Sequence, residues 1–215
     1  MLKKLSPVKQ SLLILAVIFV VATAVEIWVK INDDSLKNKD SNFLAQPRPL
    51  DSFTLIGEDL KPFGLEQFKD HLNIIFFGYT YCPDVCPTSL GDLALAFSVL
   101  EESPTKLGNL QGIFISVDGE RDKPETLAEY TDYFHPNIIG ATGAKEEVDK
   151  IVNKLGAGYR FDPPPEDDPE SYHITHSSAL FVVNSKAQLV DVIVKYDDAN
   201  ILASRLQKLQ KIHSK

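Results

Sequence analysis

Cysteine is scarce: two residues, Cys82 and Cys86, in a chain of 215. That excludes a disulfide framework, and one bridge across so short a loop would stabilise the fold by only about 2 kcal/mol in the chain-entropy account. Basic side chains are in the minority, 22 Lys and Arg against 30 Asp and Glu for a net charge of −8. This argues against a nucleic-acid partner and suits a cation or a basic protein surface better. No internal repeat or low-complexity block is present. What is there is an ordinary balance of apolar and charged residues, enough for one good core plus an appendage.

The longest apolar run lies near the N-terminus. Lys3, Lys4 and Lys9 precede Leu12 to Val25, and Glu26-Ile27-Trp28-Val29-Lys30 follows. Leu12 to Val29 is near the lower limit of roughly 17–25 residues for a transmembrane helix. The lysine flank would keep the N-terminus cytoplasmic and export the rest. A cleaved secretory signal is the competing reading, because Ala22-Thr23-Ala24 fits the small-residue cleavage pattern. The expected organisation is a single-pass membrane anchor over residues 1–30, with the membrane as a partner, a linker over 31–48, and a domain over 49–215 on the exported, periplasmic-type side. In an oxidising compartment an unprotected cysteine pair tends toward the disulfide, so redox poise becomes part of the function.

Within the domain, Asp51 to Leu55 reads as the start of a hairpin-like segment and Leu65 to Asp70 as a helical turn. Asn73 to Phe77 reads as a central strand bounded by Gly78. From Thr88 to Glu101, Leu90, Leu93, Ala94, Phe97 and Leu100 recur at helical spacing, so an amphipathic helix begins at the second cysteine. Ile113 to Val117 is a second buried strand. Asp122, with Glu125 three residues on, resembles a helix start before Leu127 to Phe134. A helix over about 145–155, an acidic proline-rich loop from Pro163 to Pro169, a hairpin of Ala179–Val183 and Leu189–Val194, and a terminal helix from Ala199 complete the pattern. Strands alternating with helices, with the cysteine pair at a strand-to-helix turn, make the expected class an α/β, thioredoxin-like fold carrying an N-terminal transmembrane helix.

A thiol at a helix N-terminus meets the positive end of the dipole, so its pKa should fall. Pro87 fits the first turn, where a missing N–H is harmless. Four-residue spacing across a helix start can bring both sulfurs to one side, ready to oxidise together or to clasp an ion. His176, just before the strand at Ala179, would lie over the cysteine turn in such a fold. Two thiolates and an imidazole form a soft three-donor set suited to copper, whereas a structural zinc site would require a fourth ligand, for which Asp118 and His173 are the nearest candidates. His71, His135 and His213 lie outside any motif and are expected to face solvent.

The run Gly78-Tyr79-Thr80-Tyr81-Cys82-Pro83-Asp84-Val85-Cys86-Pro87, the run Phe114-Ile115-Ser116-Val117-Asp118-Gly119-Glu120-Arg121-Asp122 and Thr175-His176-Ser177 together resemble the SCO/SenC family of copper-binding assembly proteins. The likeness covers about residues 49–212. It implies a thioredoxin fold in which Cys82, Cys86 and His176 bind copper, and a part in building the binuclear copper centre of cytochrome c oxidase. The copper-receiving oxidase subunit is then the implied partner, with an upstream copper donor or thiol reductant behind it, and Asp118 is placed near the site. Two positions depart from the family's pattern. Thr175 stands where Asp commonly precedes the histidine, removing a carboxylate that could orient it, and Gly119 stands where Pro commonly follows the strand's Asp.

The leading expectation is therefore a metallochaperone rather than an enzyme. The alternative is a thiol–disulfide oxidoreductase with Cys82 and Cys86 as its redox pair, keeping the partner's copper-ligand cysteines reduced, although three residues rather than two separate the thiols. A peroxidase ranks last, because Ile75 and Tyr79 occupy the positions where peroxiredoxins carry Pro and Thr or Ser.

Overall fold

The computed structural model describes residues 19–23, 25, 44, 46–103, 108–164, 168 and 171–213. The chain divides into two compact units, Met1–Asp40 and Ser41–Lys215. The described residues of the second form ten strands: β1 (Arg48–Pro49), β2 (Leu55–Gly57), β3 (Pro62–Phe63), β4 (Leu72–Gly78), β5 (Leu110–Ser116), β6 (Ile138–Thr142), β7 (Tyr159–Phe161), β8 (Ile174–His176), β9 (Leu180–Val183) and β10 (Gln188–Ile193). Its α-helices are α1 (Val85–Glu101), α2 (Pro124–Asp132), α3 (Lys145–Leu155) and α4 (Ala199–His213), with a 3₁₀ turn at Leu65–Phe68.

Eight strands form one sheet in the order β1-β10-β9-β4-β5-β6-β2-β3, and β7 pairs with β8 apart from it. β4, β5 and β6 run parallel, while β9 lies antiparallel on the other side of β4. All seven residues of β4 are buried, as expected of a strand covered on both faces. Alternation divides them between two cores. Ile74 and Phe76 pack with Leu90, Leu93 and Phe97 of α1 and Leu206 of α4. Ile75 and Phe77 pack with Val148, Ile151 and Val152 of α3. At roughly 1.5–3 kcal/mol for each fully buried large side chain, these layers fix the end of β4, from which the cysteine turn departs.

The elements read from the sequence around β4, β5, α1, α3, the β9–β10 hairpin and α4 are present. Three differences carry physical reasons. First, α1 starts at Val85, so Cys86 is its second residue and Pro87 its third. Second, Asp122 does not cap α2, whose N-cap is Lys123; its carboxylate accepts hydrogen bonds from elsewhere. Third, His135 is buried: its Nδ1 accepts from the Asn137 N–H at 3.1 Å, Nε2 lies 3.5 Å from a Glu101 carboxylate oxygen, and the ring packs edge-on against Phe97.

The expected N-terminal transmembrane helix is corrected. Among the described residues no helix is long and apolar enough to cross a membrane. In the expected anchor only Phe19–Thr23 and Val25 are described, and they are helical. The single-pass topology with a cytoplasmic N-terminus, and the membrane as a partner, are therefore not supported by the described residues. The remainder of residues 1–30, and most of the linker over 31–48, lie outside the described residues.

Candidate metal centre

The cysteine turn leaves β4 at Gly78. A Cβ at this position would lie 2.5 Å from the Cys86 sulfur and 2.7 Å from the Phe114 ring, so glycine is what lets the sulfur rest against the strand end. The Tyr79 carbonyl accepts from the Cys82 N–H at 3.2 Å, folding the turn back. The Cys82 sulfur then accepts from the Cys86 N–H at 3.5 Å. Cys86 is wholly buried, whereas Cys82 is only partly so, and neither forms a disulfide.

The third donor arrives from the other end of the domain. His176 is the last residue of β8, whose pairing with β7 sets His176 opposite Tyr159. Its Nε2 lies 3.3 Å from the Cys86 sulfur and its Nδ1 3.1 Å from the Ser177 carbonyl oxygen. The carbonyl can only accept, so Nδ1 carries the proton and Nε2 presents a lone pair. The edges of the Phe76 and Tyr79 rings wall the imidazole at centroid distances of 5.8 and 6.0 Å. Burial depresses the His176 pKa, with the Ser177 hydrogen bond opposing it, so the ring is neutral near neutral pH.

For Cys86, the expectation of a depressed thiol pKa is reversed. Burial pushes its thiol up; the Tyr79 backbone opposes this, while Cys82 and Asp122 add to it. Desolvation outweighs the helix terminus at a sulfur with no access to water.

The donor atoms of Cys82, Cys86 and His176 lie within 4.8 Å of one another, the one metal-ligating group of three or more found among the described residues. Neither candidate fourth ligand joins it. Asp118 is buried and already engaged by Arg121 and by the Tyr172 hydroxyl at 2.7 Å. His173 offers its carbonyl to the Asp162 N–H at 2.9 Å, and its ring is not part of the group. Thr175 faces away from the donors, because side chains alternate along β8, and its hydroxyl donates to Asp162 at 2.7 Å. A carboxylate at position 175 is thus not what orients His176; the Ser177 carbonyl does so. At Gly119 a Cβ would approach the Gly143 carbonyl oxygen to 2.7 Å, which accounts for the missing proline ring.

Sequence reasoning missed the polar frame behind the donors. Asp122 accepts from the Thr80 N–H at 2.9 Å, the Thr80 hydroxyl at 2.5 Å and the Ser116 hydroxyl at 2.6 Å, tying the cysteine turn to β5. Burial foremost raises its pKa despite those three donors. Arg121 bridges Asp118 and the Tyr172 carbonyl. The acidic and basic residues crowded into Asp118 to Asp122 were the available signal.

Chemically the site offers two sulfurs and one imidazole nitrogen. First-row ions bind such donors at about 2.0–2.3 Å, which the observed separations can accommodate with small side-chain shifts. Two sulfurs and one nitrogen without a fourth protein donor fit a soft ion that tolerates low coordination better than a closed structural zinc site.

The family model SCO1/SenC matches residues 44–211. An SCO2-like protein of Rickettsia felis is 32% identical over 136 residues, covering 63% of this chain and 64% of that protein. The human mitochondrial SCO1 homolog is 36% identical over 126 residues, 57% of this chain and 41% of its own length. The chain therefore spans under two thirds of the length of these relatives. Among solved structures, copper-bound ScoI of Arabidopsis thaliana superposes with a TM-score of 0.68 at 30% identity, covering 75% of this chain and 98% of that one. Yeast Sco1 with copper bound gives 0.68 at 30% identity, covering 77% and 90%. With the matched model spanning most of the chain and the fold shared with these structures, the protein belongs to the SCO1/SenC family.

Proposed function

We propose that this chain is a copper chaperone that holds copper through Cys82, Cys86 and His176 and passes it to the copper-receiving subunit of cytochrome c oxidase during assembly of the binuclear copper centre. The observation that carries the reading is the convergence of these three donors, two from one turn and one from a distant strand, within 4.8 Å. Copper-bound relatives of the same fold support the choice of metal.

The donors divide the work. Cys86, anchored in the first turn of α1 and out of water, is the fixed ligand. His176 presents Nε2 because Ser177 holds the proton on Nδ1. Cys82, on the partly exposed loop, is where an incoming thiolate or imidazole from the partner reaches the ion. Two thiolates leave a Cu(I) site with charge −1 and a Cu(II) site neutral, so one donor set serves either state.

A second reading, thiol–disulfide exchange with the partner's cysteines, is favoured by two free thiols side by side, one of them accessible. His176→Ala separates the two: it removes a copper donor and leaves both thiols. In cells that depend on this chain, copper delivery requires that His176→Ala lose assembly of the copper-containing oxidase, whereas full rescue would promote thiol exchange.

A further inference from the structure

For the three donors to meet, the cysteine turn and the segment leading to His176 must stay together. Arg121 lies between them. Its guanidinium carbon is 3.6 Å from the centre of the Tyr172 ring, 5.0 Å from that of Tyr81 and 5.6 Å from that of Tyr79. Nη1 donates to the Tyr172 carbonyl at 3.1 Å, and Nε donates to one oxygen of the Asp118 carboxylate. The other oxygen of Asp118 accepts from the Tyr172 hydroxyl at 2.7 Å.

Tyr172 is thus gripped by its ring, its carbonyl and its hydroxyl, four residues before His176. Tyr79 and Tyr81 belong to the cysteine turn itself. A planar guanidinium that stacks and hydrogen-bonds at once suits this place, and lysine could not reproduce it. Burial and then the Asp118 bond raise the Tyr172 phenol to about 12, so it remains a donor at any working pH.

We propose that Arg121 is a positioning residue of the metal centre, clamping the His176-bearing segment to the cysteine turn, and that release of the Tyr81–Arg121–Tyr172 stack sets how fast copper leaves. This rests on the copper reading above. Neither Arg121 nor Tyr172 supplies a donor atom, so loosening the clamp changes the rate of release and not the ligands. For copper to pass from a three-donor site to a partner, one protein donor must give way, and His176 is the donor whose segment the clamp restrains.

The test loads the full-length chain with copper and follows transfer to excess chelator by stopped flow in the unaltered protein, Arg121→Ala, Tyr172→Ala and Tyr172→Phe. Arg121→Ala and Tyr172→Ala should release copper about 10-fold faster or more, on the scale by which groups behind metal ligands change affinity. Tyr172→Phe keeps the ring and should stay much nearer the unaltered rate. The thiolate-to-Cu(II) absorption should be the same in all four. Because Arg121→Ala leaves Asp118 buried without its guanidinium, amide hydrogen exchange of β8 in metal-free Tyr172→Ala is the second measurement, and it should quicken. Unaltered release from copper-loaded Tyr172→Ala with unaltered β8 exchange would overturn the clamp and leave the copper site standing. Failure of the unaltered chain to take up copper would overturn the copper reading, and the release role with it.

Discussion

The Nε2 of His176 lies 3.3 Å from the Cys86 sulfur across a sequence separation of 90 residues. Only the tertiary fold makes this pair, so the site exists only in the folded chain. Binding any ion that joins them adds directly to folding stability.

Gly78 should be intolerant of a methyl group. A Cβ there meets the Cys86 sulfur and the Phe114 ring at 2.5 and 2.7 Å, and overpacking of this kind costs about 1–3 kcal/mol. Gly78→Ala should lower the urea midpoint and weaken copper binding together, because relief of the clash displaces a donor. Stability loss with unchanged affinity would show that the sulfur's position does not depend on this contact.

Copper binding should release the Cys86 proton. Burial raises that thiol's pKa, so it is protonated near neutral pH, whereas burial lowers that of His176, which is already neutral. Affinity should therefore rise with pH by about one log unit per pH unit for each thiol proton displaced, and fall as pH drops. Calorimetry in buffers of different ionisation enthalpy counts the protons directly; none released would mean that Cys86 is not a ligand.

Asp122 should hold the cysteine turn in place. Asp122→Ala strands the Thr80 N–H and two hydroxyls, at about 1–3 kcal/mol for each buried group left unpaired. The raised folded pKa also sets a sign. The folded state binds this proton more tightly than the unfolded one, so this group's contribution to stability falls as pH rises from the ordinary carboxylate value through the raised one. Asp122→Asn should flatten that slope in denaturation measured across mildly acidic pH, and an unchanged slope would show that Asp122 is not its source.

The strand, turn and helix around the cysteines were legible because β4 is a continuous apolar run and α1 repeats its apolar residues at helical spacing. β6 was not, since Ile138–Thr142 is short and interrupted by Gly140. β7 and β8, three residues each, have no period to read. Cys82, Cys86 and His176 could be picked out as a set because their motifs are local, and they do cluster, but the polar frame could not be read. Asp122 fits a helix-start pattern by spacing, yet its carboxylate is drawn to Thr80, 42 residues away. His135 read as a surface residue because nothing local announces Phe97 and Glu101 as its neighbours. The N-terminal apolar run suggested a membrane span by length and composition, and no described helix provides one.

The central claim is that copper is held by two sulfurs and one nitrogen from Cys82, Cys86 and His176, and X-ray absorption of the reduced, copper-loaded chain tests it most directly. One copper per chain with two sulfur neighbours and one imidazole nitrogen is the expected result. One sulfur should be lost in Cys82→Ser and in Cys86→Ser, and the nitrogen in His176→Ala but not in His173→Ala. A copper environment without sulfur, or a nitrogen that survives His176→Ala and disappears in His173→Ala, would contradict it.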